Sequence, residues 1–484
     1  MTDVQRRTVL KGVAAATGVA LAAGPFQGFF ASASAAPVAA DGRFPGYGPL
    51  VGKPDMRDGV VRLRLPRGFR YRSFDPTGAL LTDGTVIPGR HDGMAAFAGP
   101  GSLYTLVRNH EVNGPVGAFG DPSEAYDPLT GGGTTTVEVD GFGNVSRSFV
   151  SLNGTQNNCS GGPMPWGSWV TCEETINGDD VGPDFTGQSN EGLRKHGYLF
   201  EVPVGGVAAP GTPVRRAGRF SHESVAWDAG TQALYQSEDN FAFPSGFYRY
   251  LPPSDPMRVG RLLDGGKLEM LAVTNETNAD LAGVYEPAPA VGSRFPVRWV
   301  RIPNPDPTFR GTPPNDTALQ AVGLQGFAQG AAKFSRLEGT IADRGRIYFT
   351  STQGGTPPPD EPLPSGGYGK GRGQIWAYDT RGKFLELLYE SPSKEVLDFP
   401  DNVTTSRRGS LVICEDGGEG NFLRGLTTGG ILFDFAQNAI AGQENDEFAG
   451  STFSPDFHTL FVNIQSSNGL SFAIWGPWEI GGFR

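Results

Sequence analysis

Cysteine and histidine are scarce in this chain, which has 3 cysteines and 5 histidines among its 484 residues. Three cysteines are too few for a disulfide framework, and the odd number leaves at least one thiol unpaired. The shortage of histidine disfavours a histidine-rich zinc site. The chain also contains neither a P-loop nor a G-x-S-x-G elbow, so neither motif supports a function here.

An excess of positive charge is also lacking. The 51 acidic and 40 basic residues give a formal net charge of −11. A nonspecific nucleic-acid binder needs a basic surface, so we expect no nucleic-acid binding. Excess carboxylate suits hard cations, which take oxygen ligands, and it equally suits an acidic surface in water.

Amphipathic helical patterns of useful length are absent from the chain after its N-terminal segment. The composition includes 71 glycines and 39 prolines, which interrupt helices and favour short strands joined by turns. Hydrophobic residues make up 38% and aromatic residues 11%, so a packed core is expected despite the glycine content.

The N-terminal segment carries an export signal. A twin-arginine pair, Arg6-Arg7, is followed by Leu10 and Lys11 and then by a small-residue apolar stretch at residues 12–23. An A-x-A cleavage pattern follows at residues 31–35, so we assign residues 1–36 to a signal peptide and residues 37–484 to a single domain. The apolar stretch is short for a membrane anchor, and no other segment is apolar enough to be a stable membrane span.

The twin-arginine route carries proteins that are already folded, often with a metal or cofactor loaded in the cytoplasm. The export machinery is therefore an expected partner. The predicted location is periplasmic or extracellular, and we expect a monomer.

Six segments share one pattern: a turn, a short apolar strand and an abrupt acidic or amide end. One residue near the end of each segment serves as its mark, and the six marks are Glu111, Glu173, Glu238, Thr352, Glu415 and Gln465. Successive marks lie 62, 65, 114, 63 and 50 residues apart. A period of about 40–60 residues with several strands per unit indicates a propeller rather than a solenoid. The longest interval contains a proline-rich insertion at residues 303–314. We predict an all-β fold, a six-bladed β-propeller with long inter-blade loops.

Equivalent strand ends in six blades would lie on one ring near the central channel. Repetition would thus bring carboxylates to a common position, which predicts a metal site in the channel. Ordinary blade turns with solvated Asp and Glu are the alternative that the repeats alone leave open.

Cys159 is the chemical candidate among the three cysteines. It follows two asparagines and precedes Gly161 and Gly162, which let backbone approach a ligand closely. Cys172 and Cys414 lie within apolar strands and are expected to be inert core thiols. A thiolate binds a transition metal or acts as a nucleophile, and no local Cys–His pair supports the second role.

Three further clusters combine groups that bind ions. His222-Glu223 lies beside a strand and offers imidazole and carboxylate, although the dipeptide is more often an ordinary surface pair. Side-chain alternation puts Arg336 and Glu338 on one side of a strand. There the arginine could bind an anion and the glutamate a cation, or the two could form a simple ion pair. The third cluster is oxygen-rich and followed by glycine, as in calcium sites, and comprises Asp401, Asn402, Glu415 and Asp416.

These segments resemble the PhoX-type alkaline phosphatases across most of the chain after the signal. Seven ordered segments carry the resemblance: residues 91–95; 108–111; 158–162 through 166–167 to 171–174; 218–223; 334–339; 400–402 with 414–417; and 448–450 through 461–465 to 476–478. The resemblance implies a six-bladed propeller whose channel holds two ferric ions and three calcium ions with a bridging oxo group. The implied activity is the hydrolysis of small phosphomonoesters, in the service of phosphate acquisition.

The resemblance also implies residue roles. Cys159 matches the thiolate ligand to iron, Glu223 and Glu338 match cluster carboxylates, and Arg336 matches the arginine that holds substrate phosphate. Arg336, Cys159 and Glu223 are thus the expected catalytic residues. Further expected metal ligands are Glu173, Glu238, Asp239, Asp401, Glu415 and Asp416, with His110, Glu111 and His222 behind them. Thiolate and carboxylate suit Fe³⁺, while carboxylate and amide oxygens suit Ca²⁺.

Two alternatives stay open at this point. One is a calcium-dependent lactonase or esterase-type propeller hydrolase, which would use channel carboxylates without Cys159 or Arg336. The other is an exported propeller that only binds a partner. The chain is also shorter than the larger PhoX-type proteins, so loops that complete calcium sites or shape the substrate pocket are expected to be abbreviated.

The export signal is tested by replacing both of its arginines. The double substitution Arg6→Lys and Arg7→Lys is expected to keep the protein in the cytoplasm, because the pair is the recognition element of the signal. Cell fractionation measures the outcome, with Arg407→Lys and Arg408→Lys as the matched pair that leaves export intact. Export of the Arg6/Arg7 variant at the wild-type level would contradict the assignment.

Overall fold

The computed structural model describes residues 46–205, 211–285 and 287–483. The predicted signal peptide at residues 1–36 lies outside the described residues. Strands dominate the described part, as the composition predicts, and its α-helices are short: α1 (Pro256–Val259), α2 (Asn315–Leu319) and α3 (Gly323–Phe327). None of its helices is long and apolar enough to cross a membrane.

The strands follow one another along the chain with short turns between them. In the first half they are β1 (Val51–Pro54), β2 (Val61–Leu65), β3 (Arg70–Phe74), β4 (His91–Ala98), β5 (Tyr104–His110), β6 (Gly132–Val139), β7 (Val145–Thr155), β8 (Asn158–Met164), β9 (Ser168–Glu173), β10 (Leu199–Pro203), β11 (His222–Asp228), β12 (Ala233–Glu238) and β13 (Phe247–Leu251). In the second half they are β14 (Lys267–Val273), β15 (Arg294–Arg301), β16 (Leu337–Asp343), β17 (Arg346–Ser351), β18 (Gln374–Asp379), β19 (Phe384–Glu390), β20 (Pro400–Thr405), β21 (Leu411–Glu415), β22 (Phe422–Leu426), β23 (Leu432–Asn438), β24 (Phe448–Phe453), β25 (Thr459–Ile464) and β26 (Leu470–Trp475).

Antiparallel pairing joins these strands into five sheets in the described part. Three of them are β4-β5-β6-β7, β8-β9-β10 and β24-β25-β26-β3. A fourth extends β20-β21-β22-β23 by β2 and β1. The fifth has nine strands, because β15 pairs with both β14 and β19 and so joins the meander β11–β14 to the meander β16–β19.

The first strand of each meander packs against the first strand of the next. In chain order, β4 contacts β8, β8 contacts β11, β11 contacts β16, β16 contacts β20 and β20 contacts β24. The last of these strands, β24, also contacts β4. We call these six strands the inner strands. The sheets thus radiate from a closed series of inner strands, which is a propeller-like arrangement.

Apolar side chains fill the spaces between neighbouring sheets. The largest cluster joins the two ends of the described chain, with Tyr71 of β3, Phe472 of β26 and Trp478 among its members. Pairing of β3 with β26 closes the series, because a strand from the start of the chain completes the last sheet. Tyr71 is fully buried, its hydroxyl donates to the Lys53 carbonyl, and the Arg62 N–H donates to it at 2.7 Å.

The proline-rich insertion folds over the loop that follows β9. The Gly182 N–H donates to the Pro313 carbonyl at 2.9 Å, and Ala318 of α2 packs on Ile176 and Val181. Arg219 is fully buried beneath them and pairs with Asp180 at 2.8 Å. The insertion and this loop therefore form one packed unit at the edge of the inner strands.

Closure through β3 is tested by Tyr71→Ala. The substitution is expected to lower the free energy of unfolding by about 3–5 kcal/mol, because it leaves a cavity in the cluster that joins the chain ends. Urea denaturation measures the loss, and Arg70→Ala, an exposed neighbour on the same strand, is the control. A loss below about 1 kcal/mol would show that this strand does not close the fold.

Candidate active site and metal centre

Each inner strand begins with the same interruption of its pairing. The register to the second strand shifts between His91 and Met94, Asn158 and Gly161, His222 and Val225, Leu337 and Thr340, Pro400 and Val403, and Ala449 and Thr452. A β-bulge of this kind leaves residues unpaired and re-aims their side chains. The same device therefore occurs in every inner strand of the described chain, at the same end.

The bulges direct acidic or thiol side chains into one cavity. We define the inner ring as Asp92, Cys159, Glu223, Glu338 and Asp401, all of which line the cavity. Each lies two residues after a carbonyl that accepts a hydrogen bond from the end of the second strand. The equivalent residue in the sixth strand is Ala449, so five of six repeats supply a potential ligand.

A second set comes from the residue after each second strand. We define the outer ring as Glu111, Glu174, Asp239, Asp416 and Gln465, which also line the cavity, while Thr352 is the equivalent residue in the remaining repeat. The backbone N–H group of each outer-ring residue donates to a carbonyl of the neighbouring inner-strand segment at 2.9–3.2 Å. The acceptors of Glu111, Glu174, Asp239, Asp416 and Gln465 are, respectively, the carbonyls of Arg90, Asn157, Ser221, Phe399 and Glu447. Two rings are thus locked together by one repeated backbone hydrogen bond.

Glycine lets neighbouring inner strands approach closely at the rings. A Cβ built on Gly93 would lie 2.5 Å from the Ser160 Cα, and one on Gly339 would lie 2.7 Å from the Asp401 carbonyl oxygen. Real Cβ atoms do not come this close to backbone, so these positions need glycine. The close approach keeps inner-ring side chains from different strands within reach of a shared ion.

The cavity measures about 700 Å³ and is strongly acidic. Within the described ranges, eleven carboxylates line it, against the two guanidinium groups of Arg90 and Arg336. The carboxylates are Asp92, Glu111, Glu174, Asp184, Glu223, Asp239, Asp316, Glu338, Asp401, Asp416 and Glu447. So many like charges in one cavity favour either protons or bound cations.

Protonation equilibria reflect this crowding. Burial, and with it the charge of neighbouring carboxylates, raises the pKa of Glu111 and Asp416 to about 7 and that of Asp401 to about 6. The same causes raise the pKa well above the ordinary value for five others: Asp92, Glu174, Glu223, Glu338 and Glu447. A cation in the cavity would relieve the repulsion and displace these protons.

Two groups of ligand atoms lie close enough to hold an ion. In each group the atoms lie within 4.8 Å of one another; the groups are Cys159, Glu174 and Glu223, and Glu223, Glu338 and Asp401. Glu223 belongs to both groups. The Asn402 amide orients this region by donating to Glu223 at 3.4 Å and to Asp401 at 2.8 Å.

Cys159 is buried and its sulfur faces backbone oxygens, with Sγ 3.2 Å from the His222 carbonyl. Burial, followed by the charges of Glu223 and Glu174, raises the pKa of this thiol well above its ordinary value. A free thiolate nucleophile is thereby disfavoured, and a cation is the partner that would deprotonate the thiol. Cys172 and Cys414 are fully buried within β9 and β21, which confirms them as core residues.

Arg336 is held in one orientation at the cavity wall. Its backbone is left-handed, with φ 44, and its Nη2 donates to Asp239 at 3.0 Å and to Glu338 at 2.9 Å. Its Nε also donates to Asp239, and no hydrogen bond joins Nη1 to any residue that the structure describes. The side chain is 16% exposed, so a free edge of the guanidinium faces the cavity.

Three predicted metal ligands lie outside the cavity lining. Glu173 accepts from the Gly197 N–H and pairs with His196, Glu238 accepts from Tyr248, and Glu415 pairs with Arg424 at 2.8 Å. Side chains alternate along a strand, so the last residue of each second strand faces away when its successor faces the cavity. The successors are Glu174, Asp239 and Asp416.

The other predicted site residues do come together. Cys159, Glu223, Arg336, Glu338, Asp239, Asp401 and Asp416 all line the one cavity. His110 and His222 are fully buried outside the lining, and burial lowers the pKa of each to about 3, so both are neutral. Their rings bond to the backbone carbonyls of Gly89 and Gly218, and the second ring nitrogen of His110 bonds to the Thr135 hydroxyl.

Sequence reasoning missed Asp92, Glu174, Glu447 and Arg90 as site residues. Glu174 could have been found by moving the mark in its repeat by one residue, because side chains alternate along a strand. Asp92 lies near the start of β4, where no mark was placed, and the bulge that exposes it follows from strand pairing. Glu447 occupies the place of Arg90 in the sixth repeat, since its carbonyl accepts from the outer-ring Gln465. No local motif marks Glu447 or Arg90, so only the closed ring reveals them.

Comparison with known proteins identifies a family and a fold. A family model described as "Alkaline phosphatase PhoX" matches residues 45–146 and 143–468. The solved structure of Pseudomonas fluorescens PhoX in complex with vanadate, a transition state analogue, superposes with a TM-score of 0.64 at 17% identity, covering 91% of this chain and 99% of that one. A search of curated protein sequences found no match.

More distant structures match over similar lengths. The gluconolactonase XC5397 from Xanthomonas campestris has a TM-score of 0.40 at 14% identity, covering 89% of this chain and 98% of that one. Virginiamycin B lyase from Staphylococcus aureus has a TM-score of 0.39 at 10% identity, covering 84% of this chain and 99% of that one.

The close approach of inner strands is tested by Gly339→Ala. The added methyl group would push on the Asp401 and Asn402 backbone, so we expect a lower unfolding temperature and at least a tenfold loss of the site's activity, since it displaces an inner-ring residue. Gly429→Ala is the control, because its nearest neighbour is an ordinary contact at 3.7 Å. Equal stability and activity in the two variants would contradict the packing argument.

Proposed function

The chain belongs to the alkaline phosphatase PhoX family, and from this premise we propose that its acidic cavity hydrolyses phosphomonoesters with bound iron and calcium, using Arg336 to hold the phosphate. The family membership makes the protein a phosphomonoesterase. The lactonase and binding-protein alternatives are therefore set aside. The observation that carries the metal part of the proposal is the inner ring, in which five of six equivalent bulges supply a carboxylate or thiol.

The residues present fit a mixed metal cluster. Among the residues that the structure describes, eleven carboxylates and two guanidinium groups line the cavity, so its carboxylates can be ionised together only when cations bind. One thiol lies among hard oxygen donors, and thiolate with carboxylate suits Fe³⁺. The remaining donors are carboxylate and amide oxygens, which suit Ca²⁺.

We assign the iron ligands to the group around the thiol and the calcium ligands to the rest. Cys159, Glu174 and Glu223 would hold iron, and Glu223 would bridge to the group of Glu338 and Asp401. The remaining calcium ligands would come from carboxylates of the cavity wall: Asp92, Glu111, Asp239, Asp416 and Glu447. Two Fe³⁺ and three Ca²⁺ ions are expected. Glu173, Glu238 and Glu415 are left out of this set.

Arg336 is assigned to the phosphate of the substrate. A guanidinium presents parallel donors that match phosphate oxygens, and this one is fixed by two carboxylates before substrate arrives. Fixed donors lose little freedom when charge develops on the phosphoryl oxygens, which is where stabilisation accelerates the reaction. When bound, the metal ions supply the further positive charge that phosphoryl transfer requires. The vanadate complex of Pseudomonas fluorescens PhoX supports an anion site in this fold.

The fold around this site is proposed to be a six-bladed propeller with the metals in its central channel. The six inner strands with matching bulges support six blades, of which two are joined through β15. Residues 37–484 would form this single domain after removal of residues 1–36 by export. The twin-arginine signal supports a periplasmic or extracellular enzyme that loads metal before export.

The role of Arg336 is tested by Arg336→Ala and Arg336→Lys. We expect kcat/KM for p-nitrophenyl phosphate to fall about 10²–10³-fold in Arg336→Ala, as for loss of one preorganised oxyanion donor. Lysine should restore only part of the activity, because it lacks the planar fork. The metal content should stay at the wild-type level.

Arg301→Ala, an exposed arginine outside the cavity, is the control for these variants. Wild-type turnover in Arg336→Ala with a native circular dichroism spectrum would refute the assignment of this residue. Absence of phosphatase activity from the metal-loaded wild-type protein would refute the proposed function itself.

A further inference from the structure

One wall of the cavity is apolar. Ile176, Phe185, Phe241, Phe243 and Leu319 line the same cavity as the two rings, and we call them the apolar wall. They come from three segments: the loop after β9, the loop after β12 and helix α2. The rings themselves supply polar groups, so the cavity has an ionic floor and an apolar side.

The apolar wall begins beside the guanidinium that holds the phosphate. The Cζ atom of Arg336 lies over the ring of Phe241, 5.6 Å from its centroid. A phosphate bound to Arg336 therefore has Phe241 as a near neighbour. The alcohol part of a bound ester points away from the charged floor of the cavity. On the side of Phe241 it would contact an aromatic surface.

Two phenylalanine side chains of the apolar wall are unusually exposed. Phe185 is 93% exposed and Phe241 is 54% exposed. Aromatic side chains normally bury 150–250 Å² each, so water-facing rings at a cavity mouth are a ready surface for an apolar ligand group. The other side of the mouth carries Arg90, Asn113 and Gln465, and the two sides therefore differ in polarity.

The base of the wall is firmly fixed. The Asn315 amide donates to the Asn177 side chain at 3.0 Å, and the Gly182 N–H donates to the Pro313 carbonyl. The buried Arg219–Asp180 pair lies below them. The proline-rich insertion thus serves to place Leu319 and the loop carrying Phe185 at the cavity mouth. Backbone that is already held in place does not have to be ordered when a ligand binds, which lowers the cost of binding.

We propose that the apolar wall binds the alcohol part of the substrate and makes the enzyme prefer phosphomonoesters of aromatic or bulky apolar alcohols over those of small polar alcohols. This inference rests on the proposed function, because it assumes that Arg336 holds the phosphate. Phe241 and Phe185 are the specificity-determining residues, and they act by contact with the leaving alcohol.

The test compares 2-phenylethyl phosphate with ethyl phosphate. Both release a primary alcohol, so the esters differ mainly in the ring and little in intrinsic leaving-group reactivity. We expect a wild-type kcat/KM ratio of at least about tenfold in favour of the phenylethyl ester, from partial burial of the ring. The double substitution Phe185→Ala and Phe241→Ala is expected to bring the ratio below about threefold, mainly through a higher KM for the phenylethyl ester.

Phe142→Ala is the matched control, since Phe142 is 49% exposed and is not part of the cavity lining. The ratio of the two esters cancels any change in the amount of folded enzyme, so a partly unfolded variant still gives an answer. A wild-type ratio near one, or an unchanged ratio in the double variant, overturns the inference while the phosphatase function stands. Hydrolysis of neither ester by the metal-loaded protein overturns the proposed function and this inference together.

Discussion

Repulsion among buried carboxylates is the constraint on which the rest of this structure depends. Eight carboxylates of the two rings, together with Glu447, line a cavity of about 700 Å³. The guanidinium group of Arg336 is already shared between Asp239 and Glu338. Burial and mutual charge raise the pKa of most of them, and bound cations would displace the protons that these carboxyl groups otherwise retain. Cations and protons compete for the same oxygens, and loading is therefore favoured as the pH rises.

The propeller-like scaffold makes this concentration of charge possible. Every inner strand begins with a bulge, and one backbone hydrogen bond per repeat fixes the outer ring to it. Glycines such as Gly93 and Gly339 let adjacent strands touch, which brings ligands from different sheets within the reach of one ion. Repetition supplies similar positions, and the identity of each side chain then differentiates them: a thiol at Cys159, carboxylates at the others and a small residue at Ala449.

The sequence predicts the strand content and the repeat, because alternation and turn residues carry that information locally. Short motifs single out Cys159, Glu223 and the pair Arg336 and Glu338 as separate candidates. Their place in one cluster is implied by the resemblance to the PhoX-type phosphatases. Three of the expected ligands lie outside the cavity lining, whereas their successors Glu174, Asp239 and Asp416 line it. Asp239 and Asp416 are among the expected ligands, and Glu174 is not. Glu173, Glu238 and Glu415 end apolar strands, and the side of the strand they occupy is decided by pairing with the inner strand, which the sequence does not display. Arg90 and Glu447 line the cavity beside β4 and β24, which are several hundred residues apart in the chain and meet where the series of inner strands closes. No local sequence pattern indicates this contact. The apolar wall likewise depends on the packing of a distant insertion against the loop after β9.

The measurement that tests the central claim most directly is the metal content and visible absorption of protein exported through its own signal, compared with Cys159→Ala. The account predicts about two iron and three calcium ions per chain in the wild type, with a thiolate-to-iron absorption band that the variant loses. Phosphatase activity should disappear on calcium chelation and return when calcium is added. A colourless, metal-free protein with full phosphatase activity would contradict the claim that cations balance the acidic rings.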